Sequence, residues 1–257
     1  MTQNGSQSGH QRGNWTIRAV PNLSDNYAWL LRDEATGTVA LCDPGEAEPN
    51  LAALQDMPEP GRLDWVLLTH HHPDHIDGVA EVVAATGAKV LGAAADSHRL
   101  PALDLSVHPG DSIPLGSGTI EVLDSPGHTI GHIALFIPEA HAVLCGDTLF
   151  SLGCGRLLEG TPADMFRALR LLDALPGDTL VLCGHEYTES NARFALTVEP
   201  DNAALKARAE EVREQRKAGH PTVPTTLDQE RATNPFLRAG DEATLAERRR
   251  GKDVFKG

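Results

Sequence analysis

The sequence is poor in aromatic residues, in long apolar runs and in positive charge. Aromatic residues make up 4% of the 257 positions and hydrophobic residues 40%. No apolar run approaches the ~18 residues that a membrane-spanning helix needs, so we predict no membrane association. Lysine and arginine number 22 against 36 aspartates and glutamates, a formal net charge of −14. This balance argues against nucleic acid as a partner, because phosphate binding requires a basic surface.

Cysteine is also scarce, and no Cys-x-x-Cys pair is present. The four cysteines are Cys42, Cys145, Cys154 and Cys183, and three of them lie in or beside strand-like runs. We interpret them as small buried residues in a reducing compartment, which predicts a cytoplasmic protein without disulfides. Residues 1–13 are polar and lack the apolar core of a signal peptide, so we predict a disordered tail there.

The chain divides into two regions by pattern. Residues 14–187 alternate short apolar runs with loops rich in Gly and Pro, which predicts a layered α/β catalytic domain. From about residue 188 the stretches 189–198, 203–218 and 243–250 are helix-like and rich in Ala, Arg and Glu, without strand signals between them. We therefore predict a small helical domain over residues 188–257.

The stretch from Thr69 to His75 holds four histidines and one aspartate directly after the apolar run 65–68. Crowding these groups into one loop costs desolvation energy, which a bound divalent cation offsets. The spacing can offer His70 and His72 to one ion while Asp74 and His75 turn toward another. A solvated His-rich loop is the alternative, and the position after a buried-strand pattern disfavours it.

Three later loops also follow strand-like runs and carry His128, Asp147 and His185. Strand ends in layered α/β folds lie along one edge of a sheet, so these side chains can converge with the His-rich loop. Seven donors fit two divalent metal ions, each with an open position. We interpret His71 and His132 as structural, and Asp43 as a turn residue that can hydrogen-bond a metal-ligating histidine.

Residues 245–257 hold five basic residues against two acidic ones. A small basic patch on an acidic protein suits an anionic small molecule, although charge alone equally fits a solvated helix end.

Several motifs together resemble known families. THHHPDH, SPGHTIGH, CGDTLF and CGHEY, in this order, resemble the metallo-β-lactamase superfamily. LSDNYAWLL, DPGEA, GCGRLLEGT, VEPDN, TNPFLR and the ending RRRGKDVFKG resemble glyoxalase II, the hydroxyacylglutathione hydrolases. The resemblance implies a four-layer αβ/βα sandwich with a small C-terminal α-helical domain.

The resemblance also implies roles for individual residues. One metal would be held by His70, His72 and His128, the other by Asp74, His75 and His185, and Asp147 would bridge them. The implied catalytic residues are Asp74 and Asp147. The implied substrate-binding residues are Arg156, His185, Tyr187, Arg249 and Lys252. Imidazole and carboxylate ligands suit two zinc ions, and also iron or manganese.

The implied reaction is hydrolysis of S-(2-hydroxyacyl)glutathione, expected to be S-lactoylglutathione, by a monomer. Two other classes stay open. A persulfide dioxygenase would hold a single iron with His70, His128 and Asp147, but the additional presence of His185 and Tyr187 disfavours it. A non-catalytic protein with a structural metal is the third possibility.

The sequence departs from the glyoxalase II pattern at three places. Leu157 and Leu158 stand where the family often has aromatic residues, so an aromatic hydroxyl contact to substrate is lost. Gly251 precedes Lys252, where larger residues are common. Pro73 lies inside the metal loop and pushes His72 toward an extended conformation, which is compatible with metal binding.

Overall fold

A seven-stranded sheet forms one half of the fold in the computed structural model, which describes residues 9–257. Its strands lie in chain order, antiparallel from the first to the fourth and parallel from the fourth to the seventh. They are β1 (His10–Arg12), β2 (Trp15–Asn22), β3 (Asn26–Asp33), β4 (Val39–Cys42), β5 (Trp65–Leu67), β6 (Lys89–Ala93) and β7 (Leu105–Val107).

A second sheet of six strands packs against the first, and a separate two-stranded hairpin, β12–β13, lies beside it. The remaining strands are β8 (Ser112–Leu115), β9 (Gly118–Asp124), β10 (Ile133–Ile137), β11 (Ala142–Gly146), β12 (Leu149–Phe150), β13 (Gly153–Cys154), β14 (Leu180–Cys183) and β15 (Thr225–Thr226). The order across the second sheet is β15-β14-β11-β10-β9-β8, and only the β11–β14 pair is parallel among the described strands of this sheet.

Eight helices complete the described part of the chain. They are α1 (Glu48–Gln55), α2 (Pro73–Ile76), α3 (Val79–Thr86), α4 (Pro162–Asp173), α5 (Thr188–Val198), α6 (Ala203–Lys217), α7 (Leu227–Thr233) and α8 (Glu242–Val254). The Thr161 side chain and Asp164 cap the start of α4 reciprocally, which explains why Thr161-Pro162 marks that boundary in the sequence.

Burial along β3 shows how the layers stack. All eight of its residues are buried, although side chains of a strand alternate between two faces. Trp29 and Leu31 point into the core between the sheets, whereas Leu30 packs with residues of α1 and α3 on the outer face. With α4 packed on the second sheet through Met165 and its neighbours, the arrangement has four layers, helices outside and sheets inside.

The structure corrects the sequence analysis at both ends of the chain. The expected disordered tail over residues 1–13 is wrong at His10–Arg12, which pair with β2 as strand β1. Residues 1–8 lie outside the described residues. In the C-terminal region, the expected absence of strands is wrong, because β15 extends the second sheet beside β14. Two residues are too short for a periodic pattern to be recognised. Helix α7, which follows directly, was also missed, because its seven residues form only about two turns.

Candidate metal centre and substrate pocket

The candidate metal ligands lie in loops and one short helix that follow β5, β9, β11 and β14. His70 and His72 come just after β5, and α2 then carries Asp74 and His75. His72 has an extended backbone, with φ −66° and ψ 143°, because Pro73 begins α2 and disfavours a helical conformation in the residue before it. The extended conformation predicted for His72 before Pro73 is confirmed.

Three histidines from two loops form the first cluster. Nε2 of His70 lies 3.2 Å from Nδ1 of His72, and Nε2 of His128 lies 2.9 Å from the same atom. His70 and His128 are buried and His72 is partly buried. Three ring nitrogens therefore face a common point from three directions.

The second cluster joins α2 to the loop after β14. The carboxylate atom Oδ2 of Asp74 lies 3.6 Å from Nε2 of His75 and 3.4 Å from Nε2 of His185. Asn26, at the start of β3, donates a hydrogen bond of 2.9 Å from Nδ2 to the same oxygen and fixes the carboxylate.

Asp147, in the loop after β11, stands between the two clusters. Its Oδ2 lies 3.4 Å from Nε2 of His128 and 3.3 Å from Nε2 of His185. Its Oδ1 lies 3.4 Å from Nε2 of His75. One carboxylate thus contacts ligands of both clusters, which is the placement that the sequence predicted for a bridging residue.

Neighbouring groups hold the outer nitrogen of three of the ligand imidazoles, so that the inner one faces the centre. Nδ1 of His75 lies 3.1 Å from Oδ2 of Asp43, and Nδ1 of His185 lies 3.0 Å from Oδ1 of Asp25. Nδ1 of His128 donates to the carbonyl oxygen of Arg156 at 2.9 Å. A carboxylate or carbonyl acceptor places the proton on Nδ1 and leaves the Nε2 lone pair pointing inward.

Asp43 acts on both clusters. Besides His75, its carboxylate accepts hydrogen bonds from the backbone N–H of Thr69 at 2.9 Å and from Oγ1 of Thr69 at 2.6 Å. Oγ1 of Thr69 lies in turn 3.0 Å from Nδ1 of His70. The prediction for Asp43 is confirmed, whereas the partner of His185, Asp25, was missed because an exposed Ser-Asp turn carries no sequence signal for this role.

The centre leaves buried polar atoms without hydrogen bonds. Among the described residues, none forms a hydrogen bond to Nε2 of His75 or to Oδ1 of Asp147, although both atoms are inaccessible to solvent. A buried polar atom without a partner costs about 1–3 kcal/mol, and a cation accepting its lone pair removes that cost. The donor set of imidazole nitrogens and carboxylate oxygens fits a divalent metal, and its identity is left open by these ligand types.

The ionisation of the cluster is compatible with metal binding. Burial lowers the pKa of His70 well below its ordinary value, so this imidazole is neutral. Burial would raise the pKa of Asp147, but His75 and His185 hold it below its usual range, so the carboxylate is charged. Burial would lower the pKa of His185, yet Asp147 and Asp74 raise it to about 10, and an incoming cation would displace that proton.

The two remaining histidines of the motifs have structural positions. His71 turns away from the centre, with Nδ1 3.2 Å from Oδ2 of Asp96. His132 stacks on His70 with ring centroids 4.7 Å apart, and its Nε2 accepts the backbone N–H of Asp147 at 3.2 Å. Both contacts confirm that these histidines are not part of the ligand clusters.

A cavity of about 400 Å³ opens beside the centre. It is lined by two of the candidate ligands, His128 and Asp147, together with Phe150, Cys154, Arg156, Leu158, Tyr187, Ser190, Asn191, Arg249 and Lys252. Four of the five residues assigned to substrate binding thus lie on one pocket. The fifth, His185, is covered by the ring of Tyr187, which stacks on it at 4.5 Å, and is not among the described residues that line the cavity.

Three basic side chains, which we call the cationic wall, come from two parts of the chain: Arg156, Arg249 and Lys252. Arg156 is 69% exposed, and its Nε lies 3.8 Å from Oδ1 of Asp253. Arg249 is buried, donates from Nη1 to the carbonyl oxygen of Cys154 at 2.6 Å, and pairs with Asp253 at 3.0 Å. Lys252 donates to Oγ of Ser190 at 2.8 Å. Leu158, where an aromatic residue was noted as missing, is 57% exposed at the pocket.

No helix in the described residues is long and apolar enough to cross a membrane.

Fold and site together define the class of protein. A model of the metallo-beta-lactamase superfamily matches residues 22–185. A crystal structure of ETHE1 from Myxococcus xanthus is similar, with a TM-score of 0.68, 25% sequence identity, and coverage of 93% of this chain and 92% of that one. The chain has the metallo-β-lactamase fold with a C-terminal helical region, as the sequence predicted.

The family within this class follows from closer relatives. A model of the hydroxyacylglutathione hydrolase C-terminus matches residues 186–256. Hydroxyacylglutathione hydrolase from Acidiphilium cryptum (strain JF-5) is 52% identical over 94% of this chain and 97% of that protein. The enzyme of the same name from Ruegeria pomeroyi is 55% identical over 88% of each chain. The chain therefore belongs to the hydroxyacylglutathione hydrolase family, also called glyoxalase II.

Proposed function

We propose that this chain is a metal-dependent thioester hydrolase that cleaves S-(2-hydroxyacyl)glutathione, with S-lactoylglutathione as its substrate, to glutathione and D-lactate. This is the second step of methylglyoxal detoxification. The observation that carries the proposal is the pocket itself, because the ligand residues His128 and Asp147 and the cationic wall line the same cavity. Relatives named hydroxyacylglutathione hydrolase, at more than 50% identity, support it.

The proposed metal ligands are the six side chains of the two clusters and Asp147 between them. His70, His72 and His128 would hold one ion, Asp74, His75 and His185 the other, and Asp147 both. We propose zinc for both positions, with iron and manganese as alternatives that the ligand types accept equally. When bound, such ions lower the pKa of a coordinated water and polarise the thioester carbonyl, which is the chemistry that hydrolysis needs.

The other residues of the pocket bind and orient the substrate. Glutathione carries two carboxylates, and the cationic wall provides charged donors for them. Tyr187 is 37% exposed and lies between the buried ring of His185 and the cavity, so it can contact the glutathione moiety near the thioester. Binding energy from the glutathione moiety would place the thioester carbonyl beside the seven proposed metal ligands, which we call the ligand cluster.

The leaving group makes few demands on the protein. A thiol has a pKa of about 8.5, so a thiolate leaves without protonation by a strong general acid. Asp147 lines the pocket in its ionised form, because His75 and His185 keep its pKa low. It therefore has no proton to donate to the leaving group.

Metal analysis combined with a thioester assay tests the proposal. Purified protein should contain about two metal ions per chain and hydrolyse S-lactoylglutathione, lose both properties after chelation, and recover both when zinc is added back. Metal-loaded protein that leaves glutathione thioesters intact would contradict the proposal.

The mononuclear iron oxidoreductase is the second candidate function. It would need only His70, His128 and Asp147, and would leave the complete second cluster of Asp74, His75 and His185 without a purpose. The family of the chain disfavours it. Oxygen consumption with glutathione persulfide at one iron per chain would support it instead.

Three further expectations are also proposals. We propose that residues 14–187 form the catalytic domain and residues 188–257 a substrate-binding domain. We propose a cytoplasmic monomer, since all four cysteines are free and buried. We propose that neither nucleic acid nor membrane is a partner, on the basis of the net charge of −14.

A further inference from the structure

The hairpin β12–β13 with its turn, residues 149–154, forms part of the pocket wall. Phe150 at one end and Cys154 at the other both line the cavity. The ring of Phe150 lies 5.4 Å from that of Tyr187, and the carbonyl oxygen of Cys154 accepts a hydrogen bond from Arg249. The position of this hairpin therefore sets the position of two residues proposed to bind glutathione.

The tip of the hairpin is inserted into the C-terminal helices. Leu152 has a left-handed backbone with φ 60°, a conformation that a leucine adopts only when its surroundings hold it there. Its side chain is completely buried against Ala192, Ala195 and Leu205 of α5 and α6. Its backbone N–H donates to Oε2 of Glu230 in α7 at 2.8 Å.

The carbonyl groups of the hairpin are held by the same C-terminal segment. Nδ2 of Asn234 donates to the carbonyl oxygens of Phe150 at 3.0 Å and Gly153 at 2.9 Å. Nδ2 of Asn191 donates to the carbonyl oxygen of Ser151 at 3.1 Å. Side chains from beyond residue 188 thus satisfy three carbonyl groups of the hairpin.

Glu230 is an unusual residue for this position. It has no solvent exposure, and burial raises the pKa of its carboxyl group. Oε2 also accepts a hydrogen bond from Asn234 at 2.9 Å, while Oε1 has no hydrogen-bond partner in the part of the chain that the structure describes. A buried carboxyl group is costly, and this one accepts the N–H of a residue with a left-handed backbone, which points to a geometrical role.

We propose that Glu230 is a positioning residue for glutathione recognition, acting through the hairpin of residues 149–154. By accepting the N–H of Leu152 and ordering Asn234, it fixes the turn whose ends carry Phe150 and Cys154. The cleft for the tripeptide then has its shape before the substrate arrives, which lowers the cost of binding. This inference rests on the proposed function, since it assumes that the pocket takes glutathione.

The test compares Glu230→Ala with Glu230→Gln. The Ala variant should raise both KM for S-lactoylglutathione and the Kd for S-methylglutathione, a thioether that cannot be hydrolysed, by about tenfold, because two hydrogen bonds to the turn are lost. Its kcat should stay within about threefold and its metal content should not change. The Gln variant retains an oxygen that can accept both hydrogen bonds, so it should restore binding to within about twofold of the parent.

Asp33→Ala provides the matched control. Asp33 is equally buried, and its carboxylate holds Ala35, Thr36 and Ser117 at the turns after β3 and β8. It is not among the described residues that line the pocket. This variant should lower the melting temperature without changing the Kd for S-methylglutathione.

The outcomes separate the two proposals. A parent protein that neither binds S-methylglutathione nor hydrolyses the thioester overturns the proposed function, and the inference with it. If the parent does both, a Glu230→Ala protein with lower thermal stability but unchanged Kd and KM overturns the positioning role alone. A Gln variant that binds S-methylglutathione as weakly as the Ala variant also overturns the positioning role. Should Glu230→Ala fail to fold, Asn234→Ser removes the two carbonyl hydrogen bonds and must show the same rise in Kd.

Discussion

The ligand cluster and the cationic wall share one pocket but are built in different ways. Four of the ligand histidines are buried, and the outer nitrogen of each of these four lies near a carboxylate, carbonyl or hydroxyl group. The cationic wall ranges from the exposed Arg156 to the buried Arg249, and two of its three members come from α8. The first part is fixed by neighbouring loops of the two sheets, whereas the second combines the loop after β13, which carries Arg156, with helix α8, which carries Arg249 and Lys252.

This difference assigns separate physical tasks to the two parts. Positioning ligands for a cation requires buried, fully oriented side chains, because a displaced nitrogen loses its bond. Recognising a flexible tripeptide requires charged donors that line the cavity, from the exposed Arg156 to the largely buried Arg249. We therefore expect changes in the ligand cluster to affect metal content and kcat together, and changes in the cationic wall to affect mainly KM.

The largest effect should come from Asp147→Ala. Removing the carboxylate that contacts both clusters should lower bound metal below two ions per chain and reduce kcat by about 10³-fold or more, since Lewis-acid stabilisation amounts to several kcal/mol and 1.36 kcal/mol corresponds to tenfold. Elemental analysis and thioester kinetics measure both. His98→Ala, which removes an exposed histidine, is the control. A fully active Asp147 variant would contradict the expectation that the ligand cluster controls metal content and kcat.

A smaller effect on the same part should come from Asp43→Ala. Asp43 contacts His75 directly and His70 through Thr69, so its loss should weaken metal affinity at both clusters by about 10–100-fold, the usual range for groups that orient ligands. The carboxylate of Asp25 contacts His185 of the second cluster, so Asp25→Ala should weaken the binding of one of the two ions. Competition with a graded series of chelators measures these affinities. Equal affinities in the Asp43 variant and the parent would show that the ligands need no such support.

These residues also show how far the sequence could be read. The ligand loops were recognised because His and Asp recur directly after apolar strands, and the structure brings all seven together. The four layers followed from the family resemblance, and the strand and helix positions from periodicity. Asp25 and Glu230 were missed, because their roles depend on partners 160 and 78 positions away and on no local motif. Asp253 was also missed, although its partner Arg249 lies four positions earlier on α8, a spacing that the sequence does show. Short elements such as β15 carry too little pattern to be recognised.

Within the cationic wall, Arg156→Ala and Arg249→Ala should separate exposed from buried charge. Losing Arg156 should raise KM by about five- to tenfold through one charge-assisted hydrogen bond, with an unchanged melting temperature. Losing Arg249 should raise KM similarly and also lower the melting temperature by several degrees, because Asp253 and the carbonyl group of Cys154 lose a buried partner. Kinetics and thermal unfolding of both variants measure this. If Arg249→Ala leaves KM unchanged, its role in substrate binding is wrong.

The smallest effect is a pH dependence that belongs to Lys252 alone. Partial burial lowers the pKa of Lys252 to about 8, with Arg249 and Arg193 contributing, while two aromatic rings lie within 6 Å of its Nζ. The charged form is present below that pKa and is lost as the pH rises through it. KM should therefore increase by about threefold between pH 7.5 and 9, since a charge-assisted hydrogen bond to a substrate carboxylate becomes a neutral one.

Lys252→Arg isolates this dependence from the ionisation of the substrate. A guanidinium stays protonated throughout the range, so the Arg variant should show a flatter KM profile, while both enzymes meet the same substrate at each pH. Folding stability changes in the opposite sense: a lysine whose pKa is lowered in the folded state destabilises the fold when protonated, and this cost falls as the pH rises above about 8. Deprotonation of Lys252 therefore cannot raise KM at high pH by unfolding the protein. Parallel KM profiles for the parent and the Arg variant would mean that the ammonium group makes no contact with the substrate, and would leave Arg156 and Arg249 as the whole of the cationic wall.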